Sequence, residues 1–238
     1  MLLTLIAFLR MYWYLLFTVP AIGKAKKFDR QGKIAERDAI VAPLVRDWAR
    51  HVVYLARGTV ELTGAENVPG DTAVVFISNH QSYLDIPVLL GFIDKPKAFI
   101  SKIEVLKAPL ISDWMRLMQC TFLSRSDMRQ SIRAMQEAVE TVKKGYSLVI
   151  FPEGTRSKGG PIAEFKAGSF KLAIKAGVPV VPVTVDGSWH LLEEKGRLQK
   201  STVRVTVHPA IPTAGLSREE IAELPARVQA AVASAMRP

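Results

Sequence analysis

From Val60 onward, short apolar runs rich in β-branched residues alternate with segments of helical periodicity. Seven runs have the length and composition of buried strands, and we predict strands at Val60–Leu62, Ala73–Ser78, Ala98–Ser101, Thr121–Leu123, Ser147–Phe151, Val180–Val185 and Val203–Val207. Apolar residues recur at helical spacing from Met128 to Lys144, where Gly145 ends the pattern. Another helix is predicted to begin at Ser217, since Glu220 completes a capping-box pattern. This alternation predicts an α/β fold with a mixed central sheet flanked by helices.

The N-terminal region has a different pattern. Met1 to Ile22 is almost wholly apolar, interrupted by Arg10 and by Pro20 near its end. As one helix it would be about 33 Å long, close to the roughly 30 Å hydrocarbon core of a bilayer. Arg10 would cost about 2.5–3.5 kcal/mol at the centre of a bilayer, a cost that a helix lying in the interface avoids. Three interpretations stay open: an interfacial or re-entrant helix, a spanning helix, and a helix buried in the core.

A second helix is predicted from Ile34 to Arg57, with Pro43 expected to kink it and Gly58 to cap its end. Its apolar residues lie near one face, and arginines occupy the rest. It is either an ordinary amphipathic helix on the domain or half of a two-helix membrane-docking segment whose arginines face anionic lipid. We adopt the second interpretation, which divides the chain into a membrane-associating segment, residues 1–58, and an α/β domain, residues 59–238.

Two polar motifs directly follow apolar runs and contain most of the candidate chemistry. Ligands of open α/β sheets bind outside the carboxyl ends of the strands, so we expect both motifs at one functional edge of the sheet. The motifs read Asn79-His80-Gln81-Ser82-Tyr83-Leu84-Asp85 and Phe151-Pro152-Glu153-Gly154-Thr155-Arg156-Ser157.

The first motif contains a candidate general base. Histidine titrates near neutral pH, and a carboxylate on its second ring nitrogen fixes the tautomer and stabilises the imidazolium. His80 and Asp85 form such a couple only if the chain turns between them, because residues five apart on one helix diverge by about 140°. We therefore place His80 before a helix start, with Ser82 as the N-cap and Pro87 in the first turn. The alternative for Asp85 is a helix-terminus charge without a chemical role.

The second motif has the residue types of an anion site. Arg156 offers a planar donor fork suited to a phosphate monoester, and Lys102 or Arg125 adds positive charge. Gly154 allows close approach of the backbone. Glu153 is expected to accept a hydrogen bond from a substrate hydroxyl or to orient Arg156. The alternative is a structural Glu153–Arg156 pair at a surface turn.

Together the motifs resemble those of the glycerolipid acyltransferases, in particular the 1-acylglycerol-3-phosphate acyltransferases. The family's His-x4-Asp motif is matched by His80 and Asp85, and its Glu-Gly-Thr-Arg motif by residues 153–156. Two weaker blocks follow the family's order, one beginning at Lys102 and one reading Val178-Pro179-Val180-Val181-Pro182-Val183. The resemblance implies that His80 and Asp85 are catalytic. It also assigns Glu153, Gly154, Thr155 and Arg156 to the glycerol phosphate acceptor, and relates the block containing Pro182 to the acyl substrate.

The resemblance implies transfer of a fatty acyl group from an acyl thioester to the free hydroxyl of lysophosphatidic acid, giving phosphatidic acid in phospholipid biosynthesis. The thioester, of coenzyme A or of acyl carrier protein, is a co-substrate, and no cofactor and no metal are expected. No acyl-enzyme nucleophile stands out, which favours direct attack by the acceptor. The alternatives are the same chemistry on glycerol 3-phosphate or another lysolipid, a thioester hydrolase, and a non-catalytic lipid-binding membrane protein.

Composition indicates which kinds of binding partner to expect. The formal net charge of +10 favours anionic partners, among them an anionic membrane surface and an acidic acyl carrier protein. Nucleic acid is not expected, since no nucleic-acid-binding motif is present and aromatic residues make up only 8% of the chain. The single Cys120 excludes an internal disulfide and favours a reducing compartment. Cations follow the apolar stretch, which disfavours a signal peptide and favours the cytoplasmic face of the cell membrane; they are Lys24, Lys26, Lys27, Arg30 and Lys33.

Overall fold

In the computed structural model, which describes residues 2–124 and 126–237, seven strands form one central sheet. They are β1 (Gly58–Thr63), β2 (Val75–Ser78), β3 (Lys97–Lys102), β4 (Thr121–Leu123), β5 (Ser147–Ile150), β6 (Val180–Asp186) and β7 (Ser201–Val207). The order across the sheet is β1-β7-β6-β2-β5-β3-β4. Neighbours pair in parallel except β6 and β7, which are antiparallel, so the sheet is mixed as predicted. All seven predicted strands are present, with ends shifted by at most two residues.

Helices cover both faces of the sheet. They are α1 (Leu2–Phe17), α2 (Val19–Arg30), α3 (Ile34–Leu55), α4 (Asp85–Phe92), α5 (Ile111–Leu117), α6 (Met128–Lys143), α7 (Lys171–Ala176) and α8 (Arg218–Ser234). Alternate residues of β2 enter opposite apolar layers: Phe76 packs in the layer that includes α3 and α4, whereas Ile77 packs in the layer that includes α6, α7 and α8. The predicted capping box between Ser217 and Glu220 is confirmed at the start of α8.

The predicted N-terminal helix is two helices. α1 ends at Phe17 and α2 begins at Val19, and the axes bend by 49° at this break. Thr18 Oγ1 donates to the Leu15 carbonyl at 2.6 Å and accepts from Nε1 of Trp114 at 3.0 Å. Pro20 lies in the first turn of α2, where its missing N–H is tolerated. Within the described residues, no single helix has the length and apolar character of a membrane span; the bent pair Thr4–Phe17 and Val19–Arg30 meets those criteria only when taken together.

The second predicted helix differs from expectation at its end and in its arginines. α3 ends at Leu55 with Ala56 as its C-cap, and Gly58 opens β1, so the predicted glycine cap is wrong. Arg37 is buried and bonded to the carboxylates of Asp29 and Asp38 and to the hydroxyl of Tyr146. Arg50 donates through Nε to the carbonyl of Gly91 at 2.6 Å. Since α3 packs on α4, these two arginines face protein, and the prediction that they face lipid is wrong.

The N-terminal helices share an apolar layer with the sheet. Leu15 of α1, Ile22 of α2 and Val52 of α3 are buried in the same cluster as Phe76 of β2 and Val149 of β5. Packing is continuous across the boundary predicted at residue 58, and the division of the chain into two folding units stays a prediction.

Candidate active site

The turn between β2 and α4 brings His80 and Asp85 together. His80 follows the end of β2 and Asp85 is the first residue of α4, so the predicted turn between them is confirmed. His80 Nδ1 lies 2.7 Å from Asp85 Oδ2. Because a carboxylate only accepts, Nδ1 carries the proton and Nε2 is left with a lone pair. The imidazole stacks on Phe151, with 4.0 Å between ring centroids. The ring is thus held with Nε2 ready to accept a proton.

The carboxylate of Asp85 is fully buried and fully engaged. Besides His80, Oδ2 accepts from the backbone amides of Gln81 at 2.7 Å and Ser82 at 2.9 Å. Oδ1 accepts from the hydroxyl of Ser188. A buried charge is tolerated when it is hydrogen-bonded in this way. Asp85 therefore begins α4 and also fixes the orientation of His80.

Ser82 is not the N-cap of α4, because the cap position belongs to Leu84. Its hydroxyl accepts from the backbone amide of Leu84 at 3.0 Å and donates to Glu193 at 2.6 Å. Ser82 therefore braces the turn and connects it to a segment that follows β6.

Glu153 joins the second motif to the first. Its Oε1 accepts from the backbone amide of His80 at 2.6 Å, and its Oε2 accepts from the amide of Ala163 at 3.0 Å. Burial raises the pKa of the Glu153 carboxyl above its ordinary value, and the two amides oppose that shift. The backbone carbonyl of His80 in turn accepts from the amide of Ser157 at 2.8 Å. Glu153 holds the backbone of His80 and is not hydrogen-bonded to Arg156 among the described residues, so it does not orient that arginine. Its predicted contact with a substrate hydroxyl stays a prediction.

Arg156 lies beside the His80–Asp85 turn. Its Nη1 donates to Oε1 of Glu193 at 2.8 Å, and its guanidinium carbon lies 3.3 Å from the centroid of the Tyr83 ring. The Arg156 side chain is 19% exposed. Arg156 is therefore a partly exposed cation held against Tyr83 of the His80–Asp85 turn.

Gly154 sits in the left-handed region, with φ +70°, and a Cβ there would come within 2.9 Å of Nζ of Lys166. The positive φ favours glycine here, whereas the nearby Nζ is the far end of a flexible lysine side chain that can move aside. Thr155, the next residue, is exposed.

The remaining candidate residues have different placements. Lys102 is exposed at the carboxyl end of β3, which is the edge where β2 and β5 also end. Pro182 is buried inside β6, level with Ile77 and before the end of the strand. Its predicted connection with the acyl substrate and the predicted role of Lys102 stay predictions. Arg125 lies outside the described residues.

Comparison with known proteins identifies the family. A family model described as Acyltransferase matches residues 59–186, more than half of the chain. This chain belongs to that acyltransferase family. The resemblance drawn from the two motifs is thereby confirmed, since His80, Asp85 and residues 153–156 all lie inside the matched region.

This acyltransferase-family chain is similar in sequence to several proteins named as 1-acyl-sn-glycerol-3-phosphate acyltransferases. It is 30% identical over 198 residues to the 1-acyl-sn-glycerol-3-phosphate acyltransferase of Pseudomonas aeruginosa, covering 81% of this chain and 76% of that one. It is 42% identical over 167 residues to a chloroplastic 1-acyl-sn-glycerol-3-phosphate acyltransferase of Brassica napus, covering 69% of this chain and 48% of that one. A chloroplastic relative from Arabidopsis thaliana, 41% identical, is covered over 43% of its length and 64% of this chain. The chain thus spans about half the length of these plant relatives.

The fold of the acyltransferase-family chain is also found in a solved structure. The crystal structure of the 1-acyl-sn-glycerophosphate (LPA) acyltransferase PlsC from Thermotoga maritima superposes with a TM-score of 0.74 at 30% identity. The match covers 94% of this chain and 92% of that one. The mixed seven-stranded arrangement is therefore similar to that of a family member over almost its whole length.

Sequence reasoning missed two residues that this acyltransferase-family chain brings to the site. Ser188 follows β6, a neighbour of β2, and applying the strand-end rule to β6 would have identified it. Glu193 accepts from Ser82, Tyr83 and Arg156, yet no local pattern distinguishes it from the adjacent Glu194.

Proposed function

We propose that this protein transfers a fatty acyl group from an acyl thioester to the free hydroxyl of lysophosphatidic acid, giving phosphatidic acid, at a membrane surface. The observation that carries the proposal is the 2.7 Å contact between His80 Nδ1 and Asp85 Oδ2, with the Arg156 guanidinium beside the same turn. A histidine–carboxylate pair can deprotonate a reacting hydroxyl, and a neighbouring guanidinium can bind an anionic acceptor. The names of the relatives support the same reaction.

His80 acts as the general base. As the acceptor oxygen attacks the thioester carbonyl carbon, Nε2 takes the hydroxyl proton and Asp85 stabilises the imidazolium that forms. The new carbon–oxygen bond forms and the carbon–sulfur bond breaks. The departing thiolate receives the proton from the imidazolium, which returns His80 to its starting state. Buried Asp85 needs no rearrangement during this sequence, because its hydrogen bonds are in place beforehand.

Direct attack by the acceptor is favoured over an acyl-enzyme intermediate. The Ser82 hydroxyl donates to Glu193 and accepts from the amide of Leu84, and among the described residues no histidine is hydrogen-bonded to it. Cys120 accepts from the amide of Phe99 at 3.4 Å, and burial raises the pKa of its thiol to about 12. A thiol with so high a pKa is a poor nucleophile at neutral pH. Neither side chain has the environment of an activated nucleophile.

Arg156 binds the phosphate of the acceptor. A guanidinium forms two parallel hydrogen bonds to a phosphate monoester, which gives orientation as well as affinity. The ring of Tyr83 lies under the guanidinium and is itself 61% exposed, so the arginine lies near the surface, where a lipid headgroup can reach it. Lys102, exposed at the same sheet edge, adds positive charge.

The membrane-docking surface is the outer face of α1. Among the described side chains of this helix, eight large apolar ones are exposed: Leu5, Ile6, Phe8, Leu9, Tyr12, Trp13, Leu16 and Phe17. A contiguous apolar face of this size on one helix is typical of an interaction surface and costs free energy in water. Trp13 and Phe17 pack edge to face, with 5.8 Å between ring centroids, and aromatic residues favour the bilayer interface.

The middle of α2 adds the electrostatic part of docking. Lys24 and Lys27 are exposed after the apolar face, and Lys26, also exposed, pairs with Asp113 at 2.7 Å. Each lysine near an anionic leaflet contributes about 1 kcal/mol, an attraction that salt screens. This arrangement supports docking on the cytoplasmic face of the cell membrane, where a lysophospholipid presents its phosphate in the interface.

The proposed function is tested with the purified full-length protein in detergent micelles. Lysophosphatidic acid, glycerol 3-phosphate and lysophosphatidylcholine are each offered with an acyl-coenzyme A and an acyl–acyl carrier protein donor. We expect turnover with lysophosphatidic acid to exceed that with the other two acceptors, and the donor series to identify the thioester. Equal rates with lysophosphatidylcholine, whose phosphate is a diester, would contradict recognition of a phosphate monoester.

A further inference from the structure

Glu193 is a buried carboxylate that connects the two motifs from a third segment of the chain. Its side chain is only 6% exposed and follows a short 3-10 turn at Ser188–Leu191. Oε1 accepts from the backbone amide of Tyr83 at 2.9 Å and from Nη1 of Arg156 at 2.8 Å, and Oε2 accepts from the hydroxyl of Ser82 at 2.6 Å. Glu193 therefore holds the His80–Asp85 turn and the guanidinium of Arg156 at the same time.

The contacts of Arg156 leave one edge of its guanidinium open. Tyr83 covers one face of the group and Glu193 takes Nη1. Among the described residues, neither Nε nor Nη2 of Arg156 has a hydrogen-bond partner. Neither atom belongs to the buried polar atoms that lack a partner, so both are accessible. Nε and Nη2 form the edge on which two N–H bonds run parallel, the geometry that matches two oxygens of a phosphate.

We propose that Glu193 is a positioning residue that sets the affinity for the acceptor phosphate, by holding Arg156 with its Nε–Nη2 edge open. This inference rests on the proposed function, in which Arg156 binds the phosphate. Without Glu193 the long arginine side chain would rotate about its flexible bonds, and binding phosphate would require it to be ordered again. Tyr83 also restrains Arg156, because a planar ring stacked on a planar guanidinium limits the orientations that the guanidinium can adopt.

A carboxylate close to a phosphate also repels it, and that repulsion is limited here. The charge of Glu193 is distributed over three hydrogen bonds, one of them to the guanidinium. The net effect on the bound phosphate is therefore dominated by the orientation of Arg156. The proposal assigns this edge to the acceptor phosphate, so the effect should be confined to KM for the acceptor.

The test compares Glu193→Gln with Glu194→Gln in the full-length enzyme. Glutamine keeps the size of Glu193 and loses its charge, whereas Glu194 is a neighbouring carboxylate that contacts His190 and Gln199 instead of the motifs. We expect Glu193→Gln to raise KM for lysophosphatidic acid roughly 10-fold, the order set by one charge-assisted hydrogen bond. KM for the acyl donor should stay close to wild type, kcat should fall by a smaller factor than KM for the acceptor rises, and Glu194→Gln should change none of the three.

Two further variants separate positioning from a general structural role. Tyr83→Leu changes an exposed residue and should also raise KM for the acceptor. If Glu193→Gln fails to fold, this variant tests the inference in its place. Because Glu193 acts through Arg156, the double variant Glu193→Gln/Arg156→Lys should be no worse than Arg156→Lys alone. Additive losses, or equal losses for donor and acceptor, would overturn the inference.

Failure of the proposed function would look different. A wild-type enzyme that ignores lysophosphatidic acid but acylates glycerol 3-phosphate would overturn the proposed acceptor. The same KM comparison, made with glycerol 3-phosphate, would still decide the role of Glu193.

Discussion

The carboxylate of Glu153 accepts a 2.6 Å hydrogen bond from the backbone amide of His80, so one motif of the site holds the main chain of the other. The same carboxylate accepts from the amide of Ala163, and it is 4% exposed. Both oxygens of a buried group are thus used to position neighbouring backbone.

Glu153→Gln should therefore impair both stability and turnover. The side-chain amide retains only one acceptor oxygen, so the amide of His80 or of Ala163 loses its partner, at a cost of about 1–3 kcal/mol. We expect a lower thermal unfolding midpoint and a lower kcat, measured on the same preparation. Glu164→Gln, at an exposed neighbouring carboxylate, serves as the control. Unchanged stability in Glu153→Gln would mean that the two backbone contacts contribute little.

His80→Ala should abolish most turnover without unfolding the domain. General-base catalysis contributes roughly 10²–10⁴-fold, and no other histidine has Asp85 as a partner among the described residues. The measurement is kcat with lysophosphatidic acid, accompanied by thermal unfolding. His51→Gln provides a matched control, because His51 stacks on Tyr14 away from the motifs. Near-normal kcat in a folded His80→Ala variant would exclude the proposed mechanism.

Arg156→Lys should affect the acceptor far more than the donor. Lysine keeps the charge but loses the planar fork and the stacking on Tyr83, so KM for lysophosphatidic acid should rise about 10-fold or more. Steady-state kinetics with each substrate varied in turn measure the two KM values. Arg46→Lys is the control, since Arg46 pairs with Asp94 at the surface. A parallel loss for donor and acceptor would indicate that Arg156 only supports the fold.

Substitution on the outer face of α1 should weaken membrane binding without disturbing the core. Leu9 is 61% exposed, and burying a leucine in an apolar phase is worth about 1.5–3 kcal/mol. Leu9→Glu should therefore lower binding to anionic vesicles at least about tenfold, as measured by flotation. Ile221→Glu, at an exposed apolar position of α8, is the control. If both variants float like wild type, another surface does the docking.

Lys97 should make stability depend on pH. Its buried amine donates to the carbonyls of Leu89 and Ile93 at the end of α4, and burial lowers its pKa from 10.5 to about 7. Between these values the unfolded chain binds a proton that the folded chain does not, so the free energy of unfolding should rise with pH, by at most about 1.4 kcal/mol per unit.

Lys97→Met provides the comparison for this prediction. Chemical denaturation at a series of pH values between about 7 and 10.5 should show a rise in wild type that is missing in the variant. Identical pH profiles would mean that the buried amine keeps its proton in the folded protein.

Local patterns predicted the elements and the contact between His80 and Asp85 well. The seven strands were visible because β-branched runs are short and bounded, and His80 and Asp85 were visible because only five positions separate them. The break at Thr18 was not, since the indole of Trp114, far away in sequence, bonds to the hydroxyl at that point. Arginine positions on α3 were also misread, because periodicity shows which residues share a face and not what covers that face.

The supporting contacts of the site depended on topology. Glu153 reaches the amide of His80 because β2 and β5 are neighbours in the sheet. Glu193 contacts Arg156 and Ser82 from a segment that follows β6, and no pattern in the neighbouring sequence predicts these contacts. Motif chemistry indicates candidate reactive side chains, whereas the side chains that hold them in place are found only from the fold.

Trp114 of α5 holds the bend between α1 and α2 through its 3.0 Å hydrogen bond to Thr18. Leu15 before the bend and Ile22 after it are buried in the same layer as Phe76, whose strand leads directly to His80. The docking helix and the base are therefore parts of one packed unit, without a flexible tether between them. If α1 sits in the interface as proposed, His80 stays at one height above the acyl chains. The proposed function then implies selection by depth: a lipid whose free hydroxyl lies at that height reacts, and one whose hydroxyl lies deeper or farther out does not, even if its headgroup fits.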